Sequence, residues 1–309
     1  MIPRRILGFH SGALGDVILL AHLLGRLRRM IDGPAAVTLA AGGEKARLLE
    51  ALGVVDAAVA VESLPLETLF SEAPAALLSQ RLGRHDWLVS CFAPADPAVR
   101  RRLAEACGAA RADFLPVRPP AGSSKHLLDA WSGALGLDGP CVAAPWSVPR
   151  TLREAGAACL RRGGTDPSRP CAVLHPGSGS AGKCWPLERF MALAGRLEAP
   201  AVFAVGPVER ERWGEAVLAR LAAVAAVVEP TLAELAGLLA AARVFVGNDS
   251  GPAHLAAALG TPTVALFGPT DPRHFAPPAA RAQTVTVLRA PAWDSLTVDA
   301  AAAAVRAIP

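Results

Sequence analysis

The chain is expected to fold as an α/β protein with two parallel sheets, each covered on both faces by helices. Two observations carry this. Short apolar runs alternate with helical stretches along most of the length, the pattern of a parallel sheet wound by crossover helices. The segment 244–269, VFVGNDSGPAHLAAALGTPTVALFGP, reads in order as strand, tight turn, helix, turn, strand and glycine turn. A length of 309 residues allows two domains of ordinary size, and a hydrophobic content of 52% supplies their cores and argues against disorder.

The first half opens with an expected strand over 6–10, the turn SGALGD at 11–16 and a helix over 17–30. Further apolar runs follow at 36–40, 57–61 and 87–91, and 123–135 has the pattern of an amphipathic helix. Prolines and glycines thicken over 136–150 (GLDGPCVAAPWSVPR), the signature of a linker. The second series runs helix 153–162, strand 172–175, helix 186–197, strand 201–205, helix 209–222, strand 225–228 and helix 231–241, followed by the 244–269 segment. An alanine-rich helix over 298–308 closes the chain. The expected domains are therefore 1–145 and 146–295, with a terminal helix in 296–309. A cleft between the carboxyl ends of the two sets of strands is the expected ligand site.

The net charge of +4 is a mild excess carried on scattered residues, which does not argue for nucleic acid. Runs such as Arg100–Arg102 read first as a solvated helix face, and secondarily as a contact for a phosphorylated or membrane-bound partner. The six cysteines, at 91, 107, 141, 159, 171 and 184, form no C-x-x-C and no zinc-knuckle spacing, so no metal site is expected. Dispersed thiols fit a reducing cytoplasm. The start of the chain lacks a signal-peptide pattern, and no uncharged apolar run approaches the ~20 residues needed to span a bilayer.

The chemistry concentrates in loops that follow strands. In the 244–269 segment, Asn248, Asp249 and Ser250 offer helix-cap chemistry, and Pro252 falls where a helix tolerates a missing N–H. A helix N-terminus leaving the carboxyl end of a parallel strand is where α/β proteins hold phosphates, so Ser250 and Gly251 are candidate contacts for one. Asp249 and His254 lie at the same mouth. The loop HPGSGSAGKCWP (175–186) carries Gly177, Ser178 and Lys183 toward that mouth. Lys183 is a compact positive charge suited to a diphosphate, its alternative being a solvated loop lysine. Glu209, after Gly206 and Pro207, suits ribose hydroxyls, or else simply the first turn of a helix. In GALGD, Gly12 and Gly15 permit close backbone approach. Asp16, at the start of the helix, is either a plain N-cap carboxylate or a general base at the cleft. His175, His126 and Trp185 read as structural.

Two formal matches fail on physical grounds. Gly177, Gly179 and Gly182 make a G-x-G-x-x-G, but no acid ends the second strand, where a dinucleotide site needs one. The stretch also resembles a P-loop, yet Cys184 stands where a hydroxyl would hold magnesium, and Pro186 delays the helix.

Four motifs occur in order: GALGD, HPGS followed by K-C-W-P-x-x-R-F, G-P-x-E-R-E, and GNDSGPAHLAAALGTPTVALFGPTDP. Together they resemble glycosyltransferase family 9, the ADP-heptose:lipopolysaccharide heptosyltransferases. The resemblance covers most of the chain and is weakest between about 60 and 120. It implies a GT-B architecture of two Rossmann-like domains, with the acceptor held by the N-terminal one and the nucleotide-sugar donor by the C-terminal one. It implies an inverting transfer in a bacterial cytoplasm with no obligatory metal or cofactor. On this resemblance Asp16 is the catalytic base. Lys183 and Ser178 contact the donor diphosphate, Glu209 lies near the ribose, and Asp249, Ser250, Gly251 and His254 form the donor loop. The implied partners are an ADP-linked sugar and a lipid-linked or phosphorylated glycan acceptor at the inner membrane surface, with the enzyme cytoplasmic or peripheral there. Competing readings keep the fold and change the sugar or the acceptor, make the chain an acceptor-free epimerase, or make it a non-catalytic binder.

Overall fold

The computed structural model describes residues 4–71, 75–92, 96–119, 122–139, 141, 143–281 and 283–308. The chain divides into two compact units, Met1–Cys141 and Val142–Pro309. The division falls inside the proline- and glycine-rich stretch 136–150, of which residues 140 and 142 lie outside the described residues.

The first unit is built on five parallel strands: β1 (Arg5–His10), β2 (Ala36–Ala41), β3 (Ala57–Ala60), β4 (Trp87–Ser90) and β5 (Arg111–Phe114). Its helices are α1 (Leu14–Met30), α2 (Gly43–Ala51), α3 (Ala76–Leu82), α4 (Pro97–Ala106) and α5 (Leu127–Ala134). The strand order is β3-β2-β1-β4-β5, with Ile6 opposite Val37 on one side and Trp87 on the other. Leu7, Phe9 and Leu88 from the sheet pack with Val99 and Leu103 of α4 in one core.

The second unit begins with α6 (Arg150–Arg162) and contains β6 (Ala172–His175), α7 (Leu187–Ala194), β7 (Ala201–Ala204), α8 (Pro207–Ala222), β8 (Ala226–Val228) and α9 (Leu232–Ala241). It continues with β9 (Val244–Asn248), α10 (Gly251–Leu259), β10 (Thr263–Phe267), α11 (Pro272–Phe275), β11 (Val285–Arg289) and α12 (Val298–Ala307). The strand order β11-β10-β9-β6-β7-β8 is parallel throughout. Trp185, Phe190, Phe203, Val246 and Leu266 share its core with Ala301 and Ala302 of α12. Helices α6 and α9 approach so closely that a Cβ on Gly237 would stand 1.8 Å from the Leu152 carbonyl oxygen.

Both orders are those of doubly wound Rossmann-like sheets, as the α/β alternation led one to expect. The chain leaves each sheet in one direction and returns on the other side of its first strand. The reversal falls between β1 and β4 in the first unit and between β6 and β9 in the second. A crevice opens at such a switch point, beyond the carboxyl ends of the strands, because the two adjacent connections run to opposite faces.

Local differences from the sequence reading have simple causes. Strands β5 and β11 lie at sheet edges and are only partly buried, so neither carries the continuous apolar run that marked the central strands. Helix α1 starts at Leu14 instead of residue 17, with Ala13 at the N-cap and no side chain capping it. Asp16 is therefore inside the first turn and does not act as the N-cap. Among the described residues, no helix is long and apolar enough to cross a membrane.

Candidate functional site

In the second unit, the site residues come from the loops that follow β6 and β9, the two strands flanking the switch point, together with Glu209 at the start of α8, after β7. Asn248 ends β9 with no exposed surface. Its Nδ2 donates to the carbonyl oxygens of Pro176 and Gly177 at 2.8 and 3.3 Å, and its Oδ1 accepts from the Trp185 N–H at 2.9 Å. One side chain thus fixes both ends of the 176–185 loop. A buried amide satisfied at three points holds its surroundings to one geometry, since leaving any of them unpaired costs about 1–3 kcal/mol.

That loop carries two of the expected residues onto the next one along the chain. Ser178 Oγ donates to the Asp249 carbonyl oxygen at 2.9 Å. Lys183 Nζ donates to Asp249 Oδ2 at 2.8 Å, the ammonium side chain 37% exposed and the carboxylate side chain 7%. The ion pair joins residues 66 apart in sequence. Lys183 is therefore neither a solvated loop lysine nor an isolated cation: it is the counter-ion of a buried carboxylate, with part of its surface still open.

Ser250 sits at the N-cap of α10, but its hydroxyl donates to the Asn248 carbonyl oxygen at 3.1 Å and does not cap the helix. No side chain caps α10, so the positive end of its dipole remains available beside Lys183. Gly251 is the first helical residue, and His254, one turn in, is buried.

Glu209 lies in the first turn of α8 and is buried. Its Oε2 accepts the Gly206 N–H at 3.0 Å, and its carboxylate abuts Gly177, where a Cβ would fall 2.1 Å from Oε1. The glycine at 177 is thus required by the carboxylate beside it. His175, also buried, donates from Nδ1 to the Ala204 carbonyl oxygen at 2.9 Å. Burial holds its pKa below the ordinary 6.5, against the opposing pull of Glu209 and of the Ala204 hydrogen bond. It is a packed, neutral histidine, as the sequence suggested.

In the first unit, the turn after β1 is held from two sides. His10 Nδ1 accepts the Gly12 N–H at 2.8 Å, and Lys45 Nζ, from the first turn of α2, donates to the Gly12 carbonyl oxygen at 2.7 Å. His10 is buried, and a Cβ on Gly12 would fall 2.4 Å from its ring. Burial lowers the His10 pKa, Asp16 opposes that shift and Lys45 adds to it. Gly15 is buried in the first turn of α1, and Asp16 beside it is half-buried, with no ion-pair partner among the described residues. Burial raises the pKa of Cys91, just after β4, and the charge of Asp16 raises it further.

Three contributors were missed or undervalued in the sequence. Asn248 read as cap chemistry, though its role is to lock the loop opposite. Arg212, on α8, donates to the Ser178 carbonyl oxygen at 3.4 Å and adds a cation to this end of the sheet. Trp293 donates from Nε1 to the Gly182 carbonyl oxygen at 3.0 Å. The last two bonds span long stretches of chain, and no local pattern announces them. Among the described residues, no cluster of His, Cys, Asp and Glu could hold a metal ion.

The sequence profile of glycosyltransferase family 9 (heptosyltransferase) matches residues 142–299. The chain belongs to glycosyltransferase family 9. The matched stretch of this family 9 chain contains Ser178, Lys183, Glu209, Asp249, Ser250, Gly251 and His254, and it excludes Asp16. Lipopolysaccharide heptosyltransferase 1 of Pseudomonas aeruginosa is 35% identical over 131 residues, which are 41% of this chain and 37% of that protein. The alignment thus spans little more than a third of the length of that curated relative. The structure of the Escherichia coli ADP-heptose lipopolysaccharide heptosyltransferase II is similar with a TM-score of 0.77 and 19% identity, covering 98% of both chains. An Escherichia coli heptosyltransferase solved with ADP is similar with a TM-score of 0.67 and 20% identity, covering 96% of this chain and 97% of that one. These likenesses carry the fold, the paired Rossmann-like GT-B class expected from the motifs.

Proposed function

We propose that this chain is an inverting glycosyltransferase that moves a heptose from an ADP-sugar to a lipopolysaccharide core acceptor. The observation that carries the reading is the convergence of Ser178, Lys183 and Asp249 at the uncapped N-terminus of α10, inside the stretch that matches the family. A leaving diphosphate gains charge as the sugar bond breaks. Fixed positive groups aimed at it are stronger in the transition state than in the ground state, which is what accelerates transfer. Lys183 and the first turn of α10 at Ser250 and Gly251 supply such groups. Glu209 accepts ribose hydroxyls through the oxygen that is not engaged by Gly206. Asp249 and His254 contact the sugar and order the loop. The relatives' names support the heptose and the lipopolysaccharide acceptor, and the neighbour solved with ADP supports the nucleotide.

Asp16 is the general base in this reading. It takes the proton of the attacking acceptor hydroxyl as that oxygen bonds to the anomeric carbon, and the nucleoside diphosphate departs from the opposite face. The two-sided clamp on Gly12 and the half-buried setting of Asp16 support this role, because a base needs a fixed position and access to substrate. No metal is invoked; the lysine and helix dipole neutralise the leaving group.

The test is calorimetric titration with ADP, UDP and GDP, followed by turnover of ADP-heptose with a core acceptor. Binding restricted to ADP and acceptor-dependent ADP release support the reading. Preference for UDP or GDP would move the chain to another donor. Binding without release for any acceptor would make it a nucleotide-sugar binder, and acceptor-free conversion of the sugar would make it an epimerase.

A further inference from the structure

We infer that Trp293 is a positioning residue for Lys183, acting through a clasp between the segment after β11 and the 176–185 loop; this rests on the diphosphate role proposed above for Lys183. Three side chains make the clasp. Trp293 Nε1 donates to the carbonyl oxygen of Gly182, the residue before Lys183, at 3.0 Å. Trp185 Nε1 donates in the other direction, to the Leu296 carbonyl oxygen at 3.1 Å. Arg189 Nη1 donates to the carbonyl oxygens of Trp293 and Leu296 at 2.5 and 2.8 Å. The connected residues lie 104 to 111 positions apart.

The indole also rests against the carboxyl end of β10. A Cβ on Gly268 would stand 2.5 Å from Trp293 Cζ2 and 2.6 Å from Cε2, so the glycine leaves room for the ring. The ring is thereby wedged between the end of a buried strand and the loop it holds. Asn248 fixes the two ends of that loop, at Pro176–Gly177 and at Trp185. Between those anchors the 3-10 turn Ala181–Lys183 has no buried residue, and a single turn of that kind is weakly self-supporting. The indole N–H reaches this stretch, one peptide from the lysine. Ser178 at the near end and Trp293 at the far end together fix the backbone from which the Lys183 side chain reaches Asp249.

The experiment compares ADP affinity by calorimetry in the wild type, Trp293→Phe, Lys183→Ala and the double variant. Phenylalanine keeps the ring against Gly268 and removes the N–H. The expected result is about fivefold weaker binding for Trp293→Phe, the worth of one hydrogen bond, and no further weakening when it is added to Lys183→Ala. Gly268→Ala, which displaces the ring but keeps its N–H, should weaken ADP binding in the wild type and leave Lys183→Ala unchanged. Equal weakening in both backgrounds would mean general support of the unit, and would overturn the positioning role. If Lys183→Ala weakens binding and neither Trp293→Phe nor Gly268→Ala does, the clasp fails alone. If Lys183→Ala binds ADP as tightly as the wild type, the diphosphate role and the clasp fall together.

Discussion

Removing the Lys183 ammonium should have two separable consequences, and their sizes follow from the ion pair. A charge-assisted hydrogen bond to a diphosphate is worth about 1.5–3 kcal/mol. Lys183 is 37% exposed, so the lower part of that range applies, and loss of this contact alone should weaken ADP binding to Lys183→Ala about 10- to 30-fold. The second consequence concerns Asp249, whose side chain is only 7% exposed and whose counter-ion has gone. A carboxylate about 6 Å from a phosphate, at an effective dielectric of about 40, adds roughly 1.4 kcal/mol of repulsion, a further tenfold. Lys183→Ala/Asp249→Asn should therefore bind ADP about tenfold more tightly than Lys183→Ala alone. Isothermal calorimetry at low and high salt measures both, and the recovered portion should shrink as salt rises. If the double variant binds no better than the single one at low salt, the carboxylate does not sense the diphosphate and the electrostatic account of this mouth is wrong.

Further outcomes follow from other parts of the molecule. Asp16→Asn should lower turnover by at least about a thousandfold, the scale of losing a general base, while ADP affinity stays within twofold; normal turnover would remove the base assignment. Gly237→Ala should destabilise the second unit by about 3 kcal/mol or more, because the new methyl would fall 1.8 Å from the Leu152 carbonyl oxygen; a melting temperature within a degree of wild type would refute the close α6–α9 packing. Buried His10, His85 and His175 all have pKa values lowered from 6.5, chiefly by burial. Each stays neutral in the folded state while the unfolded chain takes up a proton, so stability is full above about pH 6.5 and falls as the pH drops below it. Urea midpoints between pH 7.5 and 5 should show this decline, and His175→Gln, which keeps a donor for Ala204 and cannot titrate in that range, should remove the part of it that His175 contributes.

Much of this was legible in the chain because the signals involved are local. Strand–helix alternation, the proline and glycine punctuation around α10 and the small residues after β1 and β6 need only a few neighbouring positions to be read. Lys183, Ser178, Asp249 and Asp16 could be picked out because each sits just past an apolar run that is recognisably a strand. What each side chain does to another was not legible. Glu209 had two local explanations, and the structure shows it bonding the Gly206 N–H while crowding Gly177. Lys183 and Asp249 were separate candidates until the two loops met at 2.8 Å.

The amino-acid sequence by itself determined the α/β class, the order of the more apolar strands in each unit, the position of the phosphate-suited helix terminus and the family motifs. Only the tertiary structure decided that β6 lies beside β9 and β1 beside β4, and hence which loops share a crevice. It also decided that Asn248 holds the ends of the lysine-bearing loop and Trp293 its middle. Periodicity and capping depend on contacts within a turn or two, whereas the neighbours of a parallel strand are chosen by crossovers and packing across the whole unit.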